Sequence, residues 1–368
     1  MAYVAARGGE RAIEQAERLY RRDLGPITRE RVDAALASMP LLIDRIMGEA
    51  SLYSRELAAL ALVQSGGDLY EALLLLRSYR TTQPRIAVAR PASQDDGITF
   101  RRISASFKDI PGGQILGPTL DYAHRLLNVD VLDGIGAEPL PVDTADRAAP
   151  PTLPSLADWQ RANGLVATPA AEPAPTPEDI PDITREPLLF PASRAHKLQS
   201  LARADTGGML SLAYATMRGY GSVHPTVNEL RLMEIDVEVP HPAGFTFKTG
   251  RVRVSQAEIV SKVGGGTAGE LKLGFTASFG WNEIKAIAGA TLDLAMDQPG
   301  APPAAEEEFV LYHTEAIEAS GFCLHFKLPH YVTFQSSLDA IRKVQADRAA
   351  AKAADEVPAE AFEPEPAE

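Results

Sequence analysis

Ile98-Thr-Phe-Arg-Arg-Ile-Ser-Ala-Ser-Phe107 is where the chain changes its period. Ile103, Ala105 and Phe107 fall on one face and Arg102, Ser104 and Ser106 on the other, the alternation of a half-buried strand. Apolar residues recur at helical spacing before this stretch, and alternation returns near the C-terminus. The chain is therefore expected to fold as α+β. The strand leads into Lys108-Asp109-Ile-Pro111-Gly112-Gly113-Gln114-Ile-Leu-Gly117-Pro118, and a helix is expected through Asp121, Tyr122, His124 and Arg125. Strand, glycine turn and helix in that order can present backbone N–H groups to an anion. Arg101, Arg102, Lys108 and Asp109 crowd the same turn. A connector with solvated charges reads from the same residues, since a Gly-Gly pair serves either.

Outward toward the N-terminus, Ile13, Ala16, Leu19 and Tyr20 are spaced for one helix, and Val32, Leu36, Met39, Ile43 and Ile46 for another that Pro40 should kink or split. Ser54 opens a third helix, and Asp68 caps a Leu-rich fourth toward Tyr79. The expected domains begin with residues 1–130, a helical bundle followed by the strand and glycine turn. Residues 131–190 form a connector: 12 of the chain's 28 prolines fall within 131–191, broken by a short helix from Ser155 through Trp159 to Gly164. An α+β domain with antiparallel strands at Glu229–Val239, Phe245–Val254 and Leu271–Phe279 should occupy 191–345. An acidic tail, compositionally disordered, should fill 346–368. Arg218-Gly219-Tyr220-Gly221 through His224-Pro225 is a glycine loop. Gly264–Gly269 continues into Glu270-Leu271 rather than Lys-Ser/Thr, which rejects a P-loop.

The formal net charge of the 368 residues is -13. Ala353–Glu368 holds six acidic residues and no basic one, yet the rest of the chain is acidic too. A general nucleic-acid footprint needs a basic surface, so nucleic acid is not an expected partner. Substrate phosphates would need a local cluster of Arg and Lys. The one cysteine, Cys323, excludes an internal disulfide and suits a reducing cytosol. It is expected to be a small buried hydrophobe. No run of about 18 apolar residues and no leader is visible, so a soluble cytoplasmic protein without a membrane span is expected.

Near the C-terminus, Gly321-Phe-Cys-Leu-His325-Phe-Lys327-Leu-Pro329-His330-Tyr331 sets two histidines five residues apart. On a strand they would face opposite sides, so they converge only if the chain turns, which Pro329 can enforce. A turn with two imidazoles is a half-site for zinc; two unrelated histidines at an element's end is the other reading.

Several phrases together resemble one family. They are Arg55-Glu-Leu-Ala-Ala-Leu-Ala-Leu62, Arg80-Thr-Thr82, Arg101-Arg-Ile-Ser-Ala105, Lys108-Asp-Ile-Pro-Gly-Gly-Gln114, Leu116-Gly-Pro-Thr119, Arg218-Gly-Tyr-Gly221 with His224-Pro225, Glu308-Phe-Val-Leu311 and His325-Phe-Lys-Leu-Pro-His-Tyr-Val332. In this order they resemble the I subunit of the bacterial carbon–phosphorus lyase core complex. The connector and tail match poorly.

The resemblance implies phosphonate catabolism. An alkylphosphonate such as methylphosphonate displaces adenine from C1′ of ATP and forms α-D-ribose 1-methylphosphonate 5-triphosphate. The I subunit would handle the glycosyl transfer, with nucleosidase activity on ATP or GTP by itself. Its partners would be subunits G, H and J in a two-fold core, with ATPase-like K and L. His325 and His330 would match a zinc pair near the J subunit, with His224 a possible further ligand. A scaffold that organises the complex, its histidines serving a site mainly of the J subunit, is the alternative.

Cleaving an N-glycosidic bond builds positive charge on the ribose. Asp109 is the candidate carboxylate for that cation, unless it merely pairs with Lys108 or an arginine; Lys108 and Arg102 complete the candidate catalytic set. Arg101, Arg218 and Lys327 are candidate phosphate donors, with Gly112, Gly113 and Gln114 letting backbone amides approach a phosphate.

Overall fold

The computed structural model describes residues 8–94, 97–136, 153–168, 180–218, 225–261, 270–297, 303–328 and 332–355. It divides into two units, residues 1–26 with 321–368, and residues 27–320. The smaller unit holds helix α1 (Gly9–Leu24), which buries none of its residues, together with the chain's C-terminal helix.

The larger unit starts with α2 (Arg29–Ser38), α3 (Pro40–Ala50), α4 (Arg55–Gln64) and α5 (Leu69–Thr81). Three of these helices begin where a side chain meets an orphan amide. Thr28 accepts from Arg31 N–H, Ser54 from Leu57 N–H and Asp68 from Glu71 N–H. Pro40 splits α2 from α3 and occupies the first turn of α3, where no N–H is needed. Ile43, Ile46, Met47, Leu62, Leu73 and Leu76 form a shared core.

Four antiparallel strands follow, β1 (Gly97–Ile103), β2 (Thr226–Pro240), β3 (Thr246–Ser261) and β4 (Lys272–Phe279), adjacent in that order. This bears out the α+β class. Between β1 and β2 lie α6 (Leu156–Ala162), α7 (Arg194–Arg203) and α8 (Thr206–Met217); α9 (Glu283–Met296), α10 (Glu307–His313) and α11 (Ala316–Phe326) come after β4. Helix α9 covers one sheet face, packing Ala286, Ala290 and Leu294 on Leu230, Ala257 and Ile259. Gly274 permits the close approach, because a Cβ there would meet the Ala290 carbonyl and the Leu294 Cβ below normal contact distance. The other side of α9 shares a second core with Leu201, Met209 and Val310.

Four local expectations change. β1 ends at Ile103, short of Phe107, because the Ser104 hydroxyl accepts from Phe107 N–H and turns the chain. No helix forms through Asp121–Arg125. The Thr119 hydroxyl accepts from Asp121 N–H, Asp121 is drawn to Arg101, and Arg125 sits at φ 53°; a short 3₁₀ turn at Val129–Asp133 comes after. Residues 321–326 belong to helix α11, which ends three residues before Pro329, and Cys323 on it is exposed rather than buried. The C-terminal helix α12 (Val332–Asp355) carries regular structure ten residues into the stretch expected as tail. Residues 137–152 and 169–179 of the proline-rich connector, the remaining tail, and the loops at 219–224 and 264–269 lie outside the described residues. Among the described residues no helix is long and apolar enough to cross a membrane.

Candidate functional site

The sheet face opposite α9 is buried and charged. In register, Arg102 of β1 lies beside Arg231 of β2, and Glu229 of β2 beside Glu258 of β3. Arg102 and Glu229 have no exposed surface, Arg231 and Glu258 almost none. A buried charge persists only with partners, and the chain supplies them. The Arg102 guanidinium pairs with Glu229 and donates to the carbonyls of Pro111 (2.6 Å), Gly113 (3.0 Å) and Pro154 (2.8 Å). Arg231 adds a second guanidinium to Glu229 at 3.0 Å and reaches the Pro154 carbonyl at 3.0 Å. One arginine thus ties the glycine turn, the segment before α6 and the sheet together.

The turn itself is closed by Gln114, whose side chain accepts from Ser104 N–H at 3.2 Å and donates to the Lys108 carbonyl at 3.0 Å. Gly112 and Gly113 both have positive φ, 82° and 77°. At Gly112 a Cβ would also press on Leu153, Pro154 and the Arg102 guanidinium at 3.1–3.3 Å, so the position favours glycine twice over. Gly113 N–H is already spent on the Ile110 carbonyl at 2.9 Å. Ile110 is buried and anchors the turn, while Lys108 and Asp109 project from it, exposed. Arg101 is also buried, bound to Glu283 (2.6 Å), Asp121 (3.2 Å) and the Leu116 carbonyl.

Beneath the turn runs a chain of amide and hydroxyl contacts. Ser106 donates to Asn228 at 3.3 Å. Asn228 and Gln160 of α6 exchange two hydrogen bonds at 2.7 and 2.9 Å, and Asn228 donates to the Glu258 carboxyl at 2.9 Å. Burial, and then the negative charge of Glu229 across the strand pair, push the Glu258 carboxyl up to about 7. It can therefore hold or release a proton near neutral pH.

The structure thus brings Arg101, Arg102, Lys108, Asp109, Gly112, Gly113 and Gln114 into one turn on β1. Within it, Arg101, Arg102 and Gln114 use their polar groups on the protein itself; Lys108 and Asp109 are the exposed pair. Arg218 ends α8 and holds Tyr214 of its own helix at 2.9 Å. His325, in the last turn of α11, and Lys327 just after it belong to the smaller unit. His330 and His224 lie outside the described residues.

Among the described residues, no three His, Cys, Asp or Glu side chains form a metal-binding group. Of the histidine pair His325 alone is described, and one imidazole falls short of the three protein ligands a catalytic zinc takes.

Sequence reasoning missed Glu229, Arg231, Asn228, Glu258 and Gln160. Charges alternating with apolar residues along a strand normally mark a solvated face. Only the packing of α6 shows that this face is covered.

Compared with known proteins, residues 2–348 match the family model described as "Bacterial phosphonate metabolism protein (PhnI)". A Rhizobium meliloti (strain 1021) protein named alpha-D-ribose 1-methylphosphonate 5-triphosphate synthase subunit PhnI is 40% identical over 95% of this chain and 97% of its own length. The Escherichia coli (strain K12) protein of the same name is 40% identical over 94% of this chain and 99% of its own. A Stutzerimonas stutzeri protein named putative C-P lyase subunit protein HtxH is 42% identical over 96% and 98%.

Proposed function

The chain belongs to the PhnI family of bacterial phosphonate metabolism proteins, and from that premise we propose that it is a subunit of the enzyme complex that displaces adenine from ATP with methylphosphonate. The product is α-D-ribose 1-methylphosphonate 5-triphosphate. The observation that carries this reading is 40% identity to two synthase subunits over nearly the whole length of every chain involved. The same reading gives the chain nucleosidase activity on ATP or GTP by itself and a place in the cytoplasm. It makes subunits G, H and J its core partners, with K and L as ATPase-like ones.

The turn on β1 supports a division of labour. Arg102 positions the Pro111–Gly113 segment, and Arg101 the segment at Leu116, while Asp109 and Lys108 remain exposed for substrate. Asp109 faces the cation that grows at C1′ and Lys108 a phosphate oxygen. Gly112, Gly113 and Gln114 set the turn's shape; Arg218 and Lys327 are further phosphate donors. His325 and His330 are this chain's two zinc ligands, with the others supplied by water, substrate or another subunit.

Purine release from ATP, followed by chromatography on the full chain with and without its co-purifying subunits, tests the reading. Asp109→Ala is expected to lower the rate by about 10²-fold, and His325→Ala to lower bound zinc by elemental analysis. Full retention of activity by Asp109→Ala would remove its role. The scaffold reading has its own support: α1 has no buried residue, and Phe334, Ile341 and Val344 of α12 are about half exposed or more. Intact complex assembly by a chain that never releases purine would favour it.

A further inference from the structure

A cavity of about 610 Å³ opens beside β4, between that edge strand and α6. Its size suits a nucleotide-sized ligand. Leu273, Phe275 and Leu294 give it apolar walls, Lys272 and Arg194 bring positive charge beside Asp297 and the Arg161–Asp158 pair, and Glu258 of the buried sheet face lines it too. We infer that this cavity takes the purine base of the nucleotide and that Glu258 is the acid that protonates that base as it departs; the inference rests on the function proposed above.

The two carboxyls paired across β2 and β3 have been given different surroundings. Glu229 has two guanidinium partners, Arg102 and Arg231, whereas Glu258 has the Asn228 amide. Of the two, Glu258 is the one that lines the cavity. Apolar walls at Phe275 and the leucines suit a purine ring, and Lys272 suits a phosphate oxygen.

The step balances without a further reagent. The C1′–N9 bond breaks with its electron pair going to the purine, and the Glu258 proton passes to N7, so the base leaves neutral. An oxygen of the phosphonate, or of water with loss of a proton, forms the new C1′–O bond. Glu258, left as carboxylate, regains its proton from solvent.

The test compares GTP with 7-methyl-GTP, whose base already carries the positive charge that the acid would supply. It uses the full chain with its co-purifying subunits and methylphosphonate. Glu258→Gln is expected to lower kcat for GTP by about 10²-fold with KM held, while 7-methyl-GTP stays within about threefold of the wild-type rate. Lys272→Gln should raise KM for both nucleotides and leave kcat unchanged. Equal losses on both substrates in Glu258→Gln, or none on GTP, overturn the acid role; an unchanged KM in Lys272→Gln overturns the cavity as the site. If the wild-type assembly releases no base from either nucleotide, the proposed function itself fails, and this role with it.

Discussion

Beneath α9, strands β2 and β3 present Leu230, Ala257 and Ile259; toward α6 the same strands present Glu229, Arg231 and Glu258. Both faces are buried. The first is held by contacts that need only the right volume. The second is held by partners that must be the right groups in the right places, since an unmatched buried charge is costly. That difference bears on function. An apolar face fixes a helix, but the charged face fixes a turn and a segment of irregular chain, because backbone carbonyls at Pro111, Gly113 and Pro154 complete the coordination of Arg102.

The sharpest way to break the comparison is to remove that arginine. Arg102→Leu leaves the Pro111 and Gly113 carbonyls without their donor, the Pro154 carbonyl with Arg231 alone, and Glu229 with one guanidinium. Breaking a buried pair costs about 3–5 kcal/mol, so a loss of that size is expected in denaturant titrations. Adding Glu229→Gln to the same chain should recover part of it, by relieving the carboxylate of its missing partner. A cost near zero for Arg102→Leu would mean that the face is wet in solution, and the contrast with the α9 face would vanish.

On the apolar face the matching probe is Gly274→Ala, which thrusts a methyl group into the α9 backbone at Ala290. Overpacking of this kind typically costs about 1–3 kcal/mol. The cost should be the same at every pH, because no titratable side chain is among the atoms that the added methyl would strike. Thermal scans at two pH values check both statements.

Much of this architecture was legible in the chain. Helix starts could be read at Thr28, Ser54 and Asp68 because a capping side chain is a local signal, and the strands could be read from alternation at Ile98, Glu229 and Leu271. The glycine turn was legible as a turn. The sequence pattern reads Arg102 as a catalytic residue and Arg101 as a phosphate donor, and both side chains instead face inward to protein partners. An isolated sequence shows that Arg102 and Glu229 alternate with apolar neighbours, but not that residues 153–162 cover them, since those contacts join segments 52 and 73 residues apart. Glu258 was invisible for the same reason. Its chemistry comes from Glu229 and Asn228 across the strand pair, and nothing near it in the sequence announces either. The helix expected at Asp121 fails on a different count: a Thr-x-Asp pair bonds its own backbone in preference to a helical ladder.

The last distinction between the faces is their response to pH, and it is the mildest. Glu258 is surrounded by Glu229 and Arg231 from β2, Arg161 from α6, Lys272 from β4 and Asp297 just beyond α9. With its folded carboxyl raised to about 7 from an ordinary 4.5, the native state keeps a proton that the unfolded chain has given up. The stabilising contribution is complete below about pH 4.5 and is lost as the pH climbs through 7, with a slope of at most about 1.4 kcal/mol per pH unit. Glu258→Gln preserves a carbonyl oxygen for Asn228 and removes the titration. Relative to wild type, its stability should be flat in acid and then gain steadily across the window from 4.5 to 7, as followed by denaturation midpoints at successive pH values. A difference that stays flat through the window would mean that folding leaves the Glu258 carboxyl at its ordinary value.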